Sequence, residues 1–383
     1  MSMIDGIEDR PRLRPLELVP LPAEGPDTCA LRDPSGLAPG ILTLSGPALF
    51  VLSLLDGENT LQEICEAFEA RFGQPLPLEQ LRAMIRTLDE GHFLDGPRFE
   101  QYYASLVAQY RRQPARFSRQ DVQQLAPDGD LAGLLDEILA EGQPADEGSR
   151  LAGLIAPHLD YIRGRVCYAD SYATLAAAAQ ARRYVILGTN HFGRANSVCA
   201  TWKDFQTPFG LVQTDRAFIQ RLADRCGVDL CEFELDHQRE HSVELQVMAL
   251  QRALPDESFQ IVPILCPDPC GPTGTAPADG KGIDLRDFAE QLRRLLADDD
   301  VPTCLIAAAD LSHVGRSFGD DRDLDELFLQ EVETHDRLAL ARIEAGDPEG
   351  FLELLAQQGN PTRICSAGCL YLLLTALPDA RPV

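Results

Sequence analysis

The residues of this chain with the most chemical capacity are imidazoles, one thiol and a few carboxylates placed at the ends of apolar runs. His191 follows the run Tyr184–Leu187 and Gly188, with Asn190 beside it. His158, Asp160 and Tyr161 follow Leu151–Pro157, and Asp310 and His313 follow Thr303–Ala309. Three such positions carry histidine in a chain of 383 residues that has seven histidines in all, so the placement is a concentration. Neutral imidazoles bind transition metals and move protons near neutral pH. His313 therefore reads as a general acid or base with Asp310 orienting its ring, or else as a loop-holding partner of Asp310.

Two further segments carry the same chemistry. Asp236-His237-Gln238-Arg239-Glu240-His241-Ser242-Val243-Glu244 opens an apolar stretch that predicts a helix through about Leu254. Helical throughout, it would align His237, His241, Glu244 and Met248 on one stripe, with Val243, Val247, Leu250 and Leu254 on another. Two histidines four apart on a helix can bind metal, unless His237 precedes the helix. Arg363-Ile364-Cys365-Ser366-Ala367-Gly368-Cys369 comes just before the apolar helix Leu370–Leu377. A cysteine near a helix N-terminus tends towards thiolate, the form that binds metal. Cys369 reads equally as a packed core residue.

The elements that must position these groups alternate. Short apolar runs at Leu151–Pro157, Tyr184–Leu187, Phe259–Leu265 and Thr303–Ala309 read as buried strands. Helices are expected over Val166–Ala179 and about Asp215–Cys226, and Thr207-Pro208-Phe209-Gly210 reads as a turn. The alternation implies a layered α/β domain. In open α/β sheets ligands bind at the carboxyl ends of the strands, where these histidines fall.

Composition bounds the rest. A hydrophobic content of 45% supports a sizeable core. No run approaches the roughly 18 apolar residues of a membrane span, and the N-terminus lacks a signal-peptide pattern. A cytoplasmic protein is expected, with its eleven cysteines acting as core residues, ligands or redox thiols rather than a disulfide framework. A formal charge of −26 argues against nucleic acid as a partner.

Along the chain, residues 1–30 are proline-rich and read as an irregular segment. A module over 31–110 follows, with helices predicted from Leu42 to Leu55, from Thr60 through Ala70 and over Pro77–Glu90, and a strand or wing at Phe93-Leu94. Thr60 and Glu63 form a capping-box pattern. Residues 111–148 read as a helical linker, the loop 142–149 as the domain boundary, and 149–383 as the metal-binding domain. The stretches Leu55–Ile64 and Leu88–Leu94 resemble the PqqD-like family of winged-helix peptide-recognition domains, which implies binding of a peptide segment by strand addition. A packing module without a ligand fits the same residues.

The second domain resembles the Memo family, which includes component B of the AmmeMemoRadiSam system. The resemblance rests on Pro157-His158-x-x-Tyr161, Leu187-Gly188-x-x-His191, Thr207-Pro208-x-Gly210, Glu240-His241-Ser242-x-Glu244-x-Gln246, Asp310-x-Ser312-His313-x-Gly315 and Cys365, in order over about 151–383. It implies a central mixed sheet similar to class III extradiol dioxygenases, preceded here by the small winged-helix-like α+β module. It also implies metal ligands at His158, His191 and Cys365, with Asp310, His313, Glu240 and His241 around the cavity. Asp160, Tyr161, Asn190 and Glu244 are further pocket residues. Three departures touch the pocket: Leu159-Asp160 where the family has small residues, Phe192 for a second histidine, and Ser366 for a glycine.

Two imidazoles and a thiolate leave positions open on a metal and favour Fe(II), then copper, then zinc. The expected function is a metal-dependent, dioxygenase-like oxidoreductase acting on a small molecule or a modified peptide. The alternatives are a non-enzymatic metal-binding adaptor that meets a radical SAM partner through its N-terminal module, and a zinc metallohydrolase.

Overall fold

The structure, a computed structural model, describes residues 10–21, 23, 25, 27–145, 150–178 and 181–381. The chain divides into two compact units at Gln113/Pro114. Among the described residues no helix is long and apolar enough to cross a membrane.

The first unit contains strands β1 (Glu17–Pro20), β2 (Cys29–Arg32) and β3 (Leu42–Leu44) and helices α1 (Gly46–Ser53), α2 (Leu61–Phe72), α3 (Leu78–Glu90) and α4 (Pro97–Arg112). The strands form an antiparallel sheet in the order β1-β2-β3. Residues 1–30 are thus not wholly irregular: Leu18 pairs with Leu31 and Pro20 with Cys29. Proline is tolerated there because β1 is an edge strand and Pro20 its last residue. The helix expected from Leu42 begins at Gly46, because Leu42–Leu44 joins the sheet and Pro47 suits the first helical turn. Leu94 bridges to Leu13, the small β contact expected at Phe93-Leu94. Leu31, Val51, Leu55, Ile64, Ile85 and Phe93 share one core.

The capping box forms as its residues suggest. Thr60 Oγ1 accepts from the Glu63 amide, and Glu63 Oε2 accepts from the Thr60 amide at 2.8 Å. Thr60→Ala is expected to destabilise this unit by about 1 kcal/mol, read as a lower urea midpoint with an unchanged slope.

The second unit holds β4 (Ala115–Phe117), α5 (Val122–Leu125), α6 (Leu131–Glu141), β5 (Gly153–Ala156), α7 (Arg165–Ala177), β6 (Arg183–Thr189), β7 (Cys199–Ala200), β8 (Asp204–Thr207), β9 (Gly210–Thr214) and α8 (Arg216–Cys226). There follow α9 (Ser242–Ala253), β10 (Gln260–Cys266), α10 (Leu285–Ala297), β11 (Thr303–Ala308), α11 (Glu326–Glu344), α12 (Pro348–Gln358) and α13 (Ala367–Ala376). Eight strands make one mixed sheet in the order β4-β8-β9-β10-β6-β11-β5, with β7 added against β10. β10, β6, β11 and β5 are mutually parallel, and β6 and β11 are buried along their whole length. Strands covered on both faces read as continuous apolar runs, which is why these were visible in the sequence.

Helices cover both faces. Phe218 and Leu222 of α8, Phe288 and Leu292 of α10, and Leu370 and Leu372 of α13 share one core with alternate residues of the sheet. Leu135 of α6, Tyr168 and Tyr172 of α7, and Val243, Val247 and Leu250 of α9 share the other. Residues 115–141, read from the sequence as linker, belong to this unit: β4 pairs in parallel with β8, and α6 supplies Leu131, Leu135 and Ile138 to the second core. The loop read as the boundary includes residues 146–149, which lie outside the described residues. β4, β7, β8 and β9 were not anticipated, because strands of two to five residues are too short to show a period. The turn at Thr207–Gly210 joins β8 to β9 as a hairpin.

Chain order and sheet order differ where it matters. β11 lies between β6 and β5 although it comes later in the sequence than both. Such a reversal opens a crevice beyond the carboxyl ends of the strands.

Candidate metal centre

Three loops enter that crevice with the same offset. His158, His191 and Asp310 each stand two residues past the last residue of β5, β6 and β11. The N-terminal ends of α9 and α13 add His241 and Cys365. Close approach requires glycine at two points. A Cβ on Gly188 would lie 2.5 Å from Ser242 Oγ, and one on Gly368 would lie 2.2 Å from the Pro267 carbonyl.

Among the described residues, the ring nitrogens of His158, His191 and His241 lie within 4.8 Å of one another. The His191 and His241 rings are stacked with centroids 4.9 Å apart, and His158 stands edge-on to both. Cys365 Sγ is 3.4 Å from His158 Nε2 and 3.9 Å from His313 Nε2. In every ring Nδ1 is engaged elsewhere. His158 Nδ1 donates to the Ala308 carbonyl at 2.9 Å and His313 Nδ1 to that of Leu311 at 2.9 Å. His191 Nδ1 donates to the Glu240 carboxylate at 3.1 Å, and His241 Nδ1 lies 3.3 Å from the same group. This leaves Nε2 as the donor atom of each ring, the arrangement by which outer partners set the tautomer of metal-binding histidines.

Glu240 is buried and also accepts from the His191 and Ser242 amides at 3.1 and 2.9 Å. Burial opposes its charge, but His191 and His241 outweigh that and hold the carboxyl far below the usual range. Burial likewise raises the Cys365 thiol, yet His158, His191 and His313 pull it down to about 3, so the sulfur is a thiolate. In the same exchange burial lowers His158 and His191, while Cys365 with Asp310 or Glu240 raises them to about 9 and about 10. His313 is raised chiefly by Cys365, whereas burial lowers His241.

The other residues singled out from the sequence divide. Asp310 reaches the site, but its Oδ1 accepts from the His158 amide at 3.0 Å and its Oδ2 lies 3.6 Å from His158 Nε2. It supports His158; the His313 ring is instead set by Leu311. Asn190 shapes the loop, accepting from the Gly193 amide and donating to Asp236. Three residues are turned elsewhere. Asp160 pairs with Arg163, the buried Tyr161 donates to the Leu245 carbonyl at 2.7 Å, and the fully buried Glu244 pairs with Arg116.

The expected stripe on the 236–254 helix does not form. Glu234–Gln238 is a 3-10 turn, and α9 starts at Ser242. His237 points into the core and donates Nε2 to the Cys199 carbonyl at 3.1 Å. Burial lowers its imidazole to about 4, with Arg116 acting in the same direction and Glu240 against. Between pH 6.5 and 4 the unfolded chain therefore binds a proton that the folded chain refuses, and stability falls as pH falls. His237→Gln is expected to remove about 1 kcal/mol of the stability lost between pH 7 and 5.5, measured by urea unfolding at both pH values.

Ser366 ties the site together: its hydroxyl accepts from the Asp310 amide at 3.0 Å and lies 3.4 Å from Cys365 Sγ. Phe192 is half exposed beside His191. Asp236 was missed, although it is half-buried and accepts from the Ala195 amide and Asn190. Nothing distinguished it from the acidic residues around it. Arg363 sits at φ +55° just before Cys365 and donates to the His313 carbonyl at 3.0 Å, so a left-handed residue closes the loop that delivers the thiolate.

Imidazole nitrogens beside a thiolate, with carboxylates behind them, are a donor set for a transition metal and fit one without rearrangement of type. A mixed sheet with such a cluster at the carboxyl edge of its parallel strands makes this an α/β domain with a candidate metal site. The Memo-like protein family model matches residues 126–381, and the chain belongs to that family. It is similar to a MEMO1 family protein of Aquifex aeolicus, 25% identical over 364 residues that cover 93% of this chain and 87% of the relative. A MEMO1 family protein of Thermus thermophilus is 28% identical, covering 84% and 91%. One from Methanopyrus kandleri is 31% identical over 57% of this chain and 68% of its own length.

Proposed function

We propose that this chain is a mononuclear metal protein of the AmmeMemoRadiSam B type, with His158, His191 and Cys365 as ligands and His241 beside them. The observation that carries this reading is the Cys365 sulfur 3.4 Å from His158 Nε2, inside the ring of imidazoles. Iron or copper there would supply redox and Lewis-acid chemistry for a dioxygenase-like oxidation of a small molecule or modified peptide; zinc would supply the Lewis acid alone and hence hydrolysis. The chain's own residues orient and protonate. Glu240 fixes His191, Asp310 and the Ala308 carbonyl fix His158, and the half-buried His313 carries a proton on Nε2 at the edge of the cluster. Cytoplasmic residence is supported by eleven free cysteines.

Elemental analysis of protein purified without added metal tests the reading. About one iron or copper per chain is expected, and none in the His158→Ala/His191→Ala/Cys365→Ala variant; stoichiometric metal in that variant overturns the assignment. On iron-loaded protein given candidate catechols and peptides as the groups to be oxidised, an oxygen-electrode trace should show uptake by wild type and none by His313→Ala. In the adaptor reading a PqqD-like first unit engages a peptide or a radical SAM partner; the Aquifex match, at 364 residues, exceeds the 270 of the second unit (383 − 113), so it reaches into the first. That reading expects no uptake by wild type.

A further inference from the structure

Arg116 lies ten residues before the first residue of the family match (126 − 116). Its side chain is nonetheless buried in the second unit, 1% exposed, against the segment that carries Glu240 and His241. Nε donates to the His237 carbonyl at 3.1 Å and Nη2 to the Glu240 carbonyl at 2.8 Å, while Nη1 pairs with Glu244. We propose that Arg116 is a positioning residue of the metal centre: by taking these two carbonyls it divides the helix before His241 and so delivers Glu240 and His241 to the site. The inference rests on the metal reading above and adds a residue to it.

In a continuous α-helix the carbonyl of residue 237 accepts from the amide of 241, and that of 240 from the amide of 244. With a guanidinium holding both oxygens, the 3-10 turn ends at Gln238 and a new helix starts at Ser242. The break frees the Glu240 side chain to fold back on the Ser242 amide and reach the amide and Nδ1 of His191. It also separates the two histidines: His237 goes to the core and His241 stacks on His191. The partner Glu244 is itself anchored by the Ser118 hydroxyl and the Arg119 amide, so β4 and α9 are locked in one register. A planar fork is needed to serve two carbonyls and a carboxylate together; a lysine ammonium is a single point. An ion pair with Glu244 for stability alone would not need the carbonyls.

The test uses full-length, metal-free protein titrated with Co(II) under nitrogen, following the thiolate charge-transfer absorption and the d–d bands. Arg116→Lys, which keeps the charge opposite Glu244, is expected to bind Co(II) about 10- to 100-fold more weakly with altered d–d bands. Glu244→Gln, which leaves the carbonyl contacts, is expected to keep wild-type affinity and spectrum. Should Arg116→Lys fail to fold, Arg116→Gln/Glu244→Gln, which strands no buried charge, takes its place with the same expectation. Wild-type affinity and bands in the Arg116 variants overturn the proposal, as does an equal loss in Glu244→Gln. If wild type binds no Co(II), the metal reading falls instead. Positioning is then decided by amide exchange over residues 234–246: faster in Arg116→Lys than in wild type and Glu244→Gln sustains it, and no difference overturns it.

Discussion

Cys365→Ser is expected to bind metal at least about 100-fold more weakly than wild type while unfolding at nearly the same urea concentration. The lower bound follows from the cost of losing outer partners of a metal site, about 10- to 100-fold, since a ligand contributes more than its supports. The sulfur is a thiolate because three imidazoles draw it down to about 3 against the opposing effect of burial, and a serine hydroxyl has no comparable ionised form. The fold should tolerate the change. The serine is smaller, the position is only partly buried, and His158 and His313 remain as hydrogen-bond partners. Competition with a coloured chelator checks it: wild-type affinity in the serine variant would remove Cys365 from the ligand set. A loss of affinity accompanied by a shifted urea midpoint would make it a packing residue instead.

Arg183→Ala carries the largest expected loss of stability. Arg183 opens β6 with its guanidinium 4% exposed, 2.7 Å from Asp215 and 3.2 Å from Asp299. The same group donates to Thr303 Oγ1 at 3.2 Å, at the start of β11, and lies over the Phe218 ring. Asp215 meanwhile caps α8 through the Phe218 amide at 2.9 Å. Removing one partner of a buried pair strands the others and costs about 3–5 kcal/mol, far more than the pair contributes when whole. This cluster sits at the amino end of the strands and the imidazoles at the carboxyl end. The variant should therefore lower the urea midpoint sharply and leave Co(II) affinity of the folded protein unchanged. A loss below about 1 kcal/mol would mean that water reaches the site.

What could be read in the sequence follows from how buried each element is. β6, β10 and β11 are continuous apolar runs and were visible, as was the helical pattern of α7, α8 and α9. His158, His191, His241, His313, Cys365 and Glu240 converge because each ends or begins such an element. β4 was invisible because Ala115-Arg116-Phe117 buries an arginine, and a three-residue strand has no period. The break between His237 and His241 was hidden for a related reason. The segment has helical composition throughout, and what divides it is a guanidinium more than 120 positions earlier in the chain. Glu244 was misplaced with it: a carboxylate on the expected stripe is in fact the counter-charge of that guanidinium.

His158 and Cys365 are 207 positions apart in the chain and 3.4 Å apart in space. One follows β5, the terminal strand of the sheet, which pairs only with β11 in the strand order; the other leads into α13, against the opposite face. An ion held by both would close a covalent-like ring of roughly two hundred residues, and by disulfide arithmetic such a ring withdraws about 5 kcal/mol of freedom from the unfolded chain. Such a centre would be a clasp as well as a binding site. A terminal strand is where a sheet opens most cheaply, and an ion on His158 and Cys365 would buckle that strand to the segment leading into α13. Release of such an ion would loosen β5 with it, so resistance to heat and to proteolysis along Gly153–Ala156 is expected to fall when metal is removed.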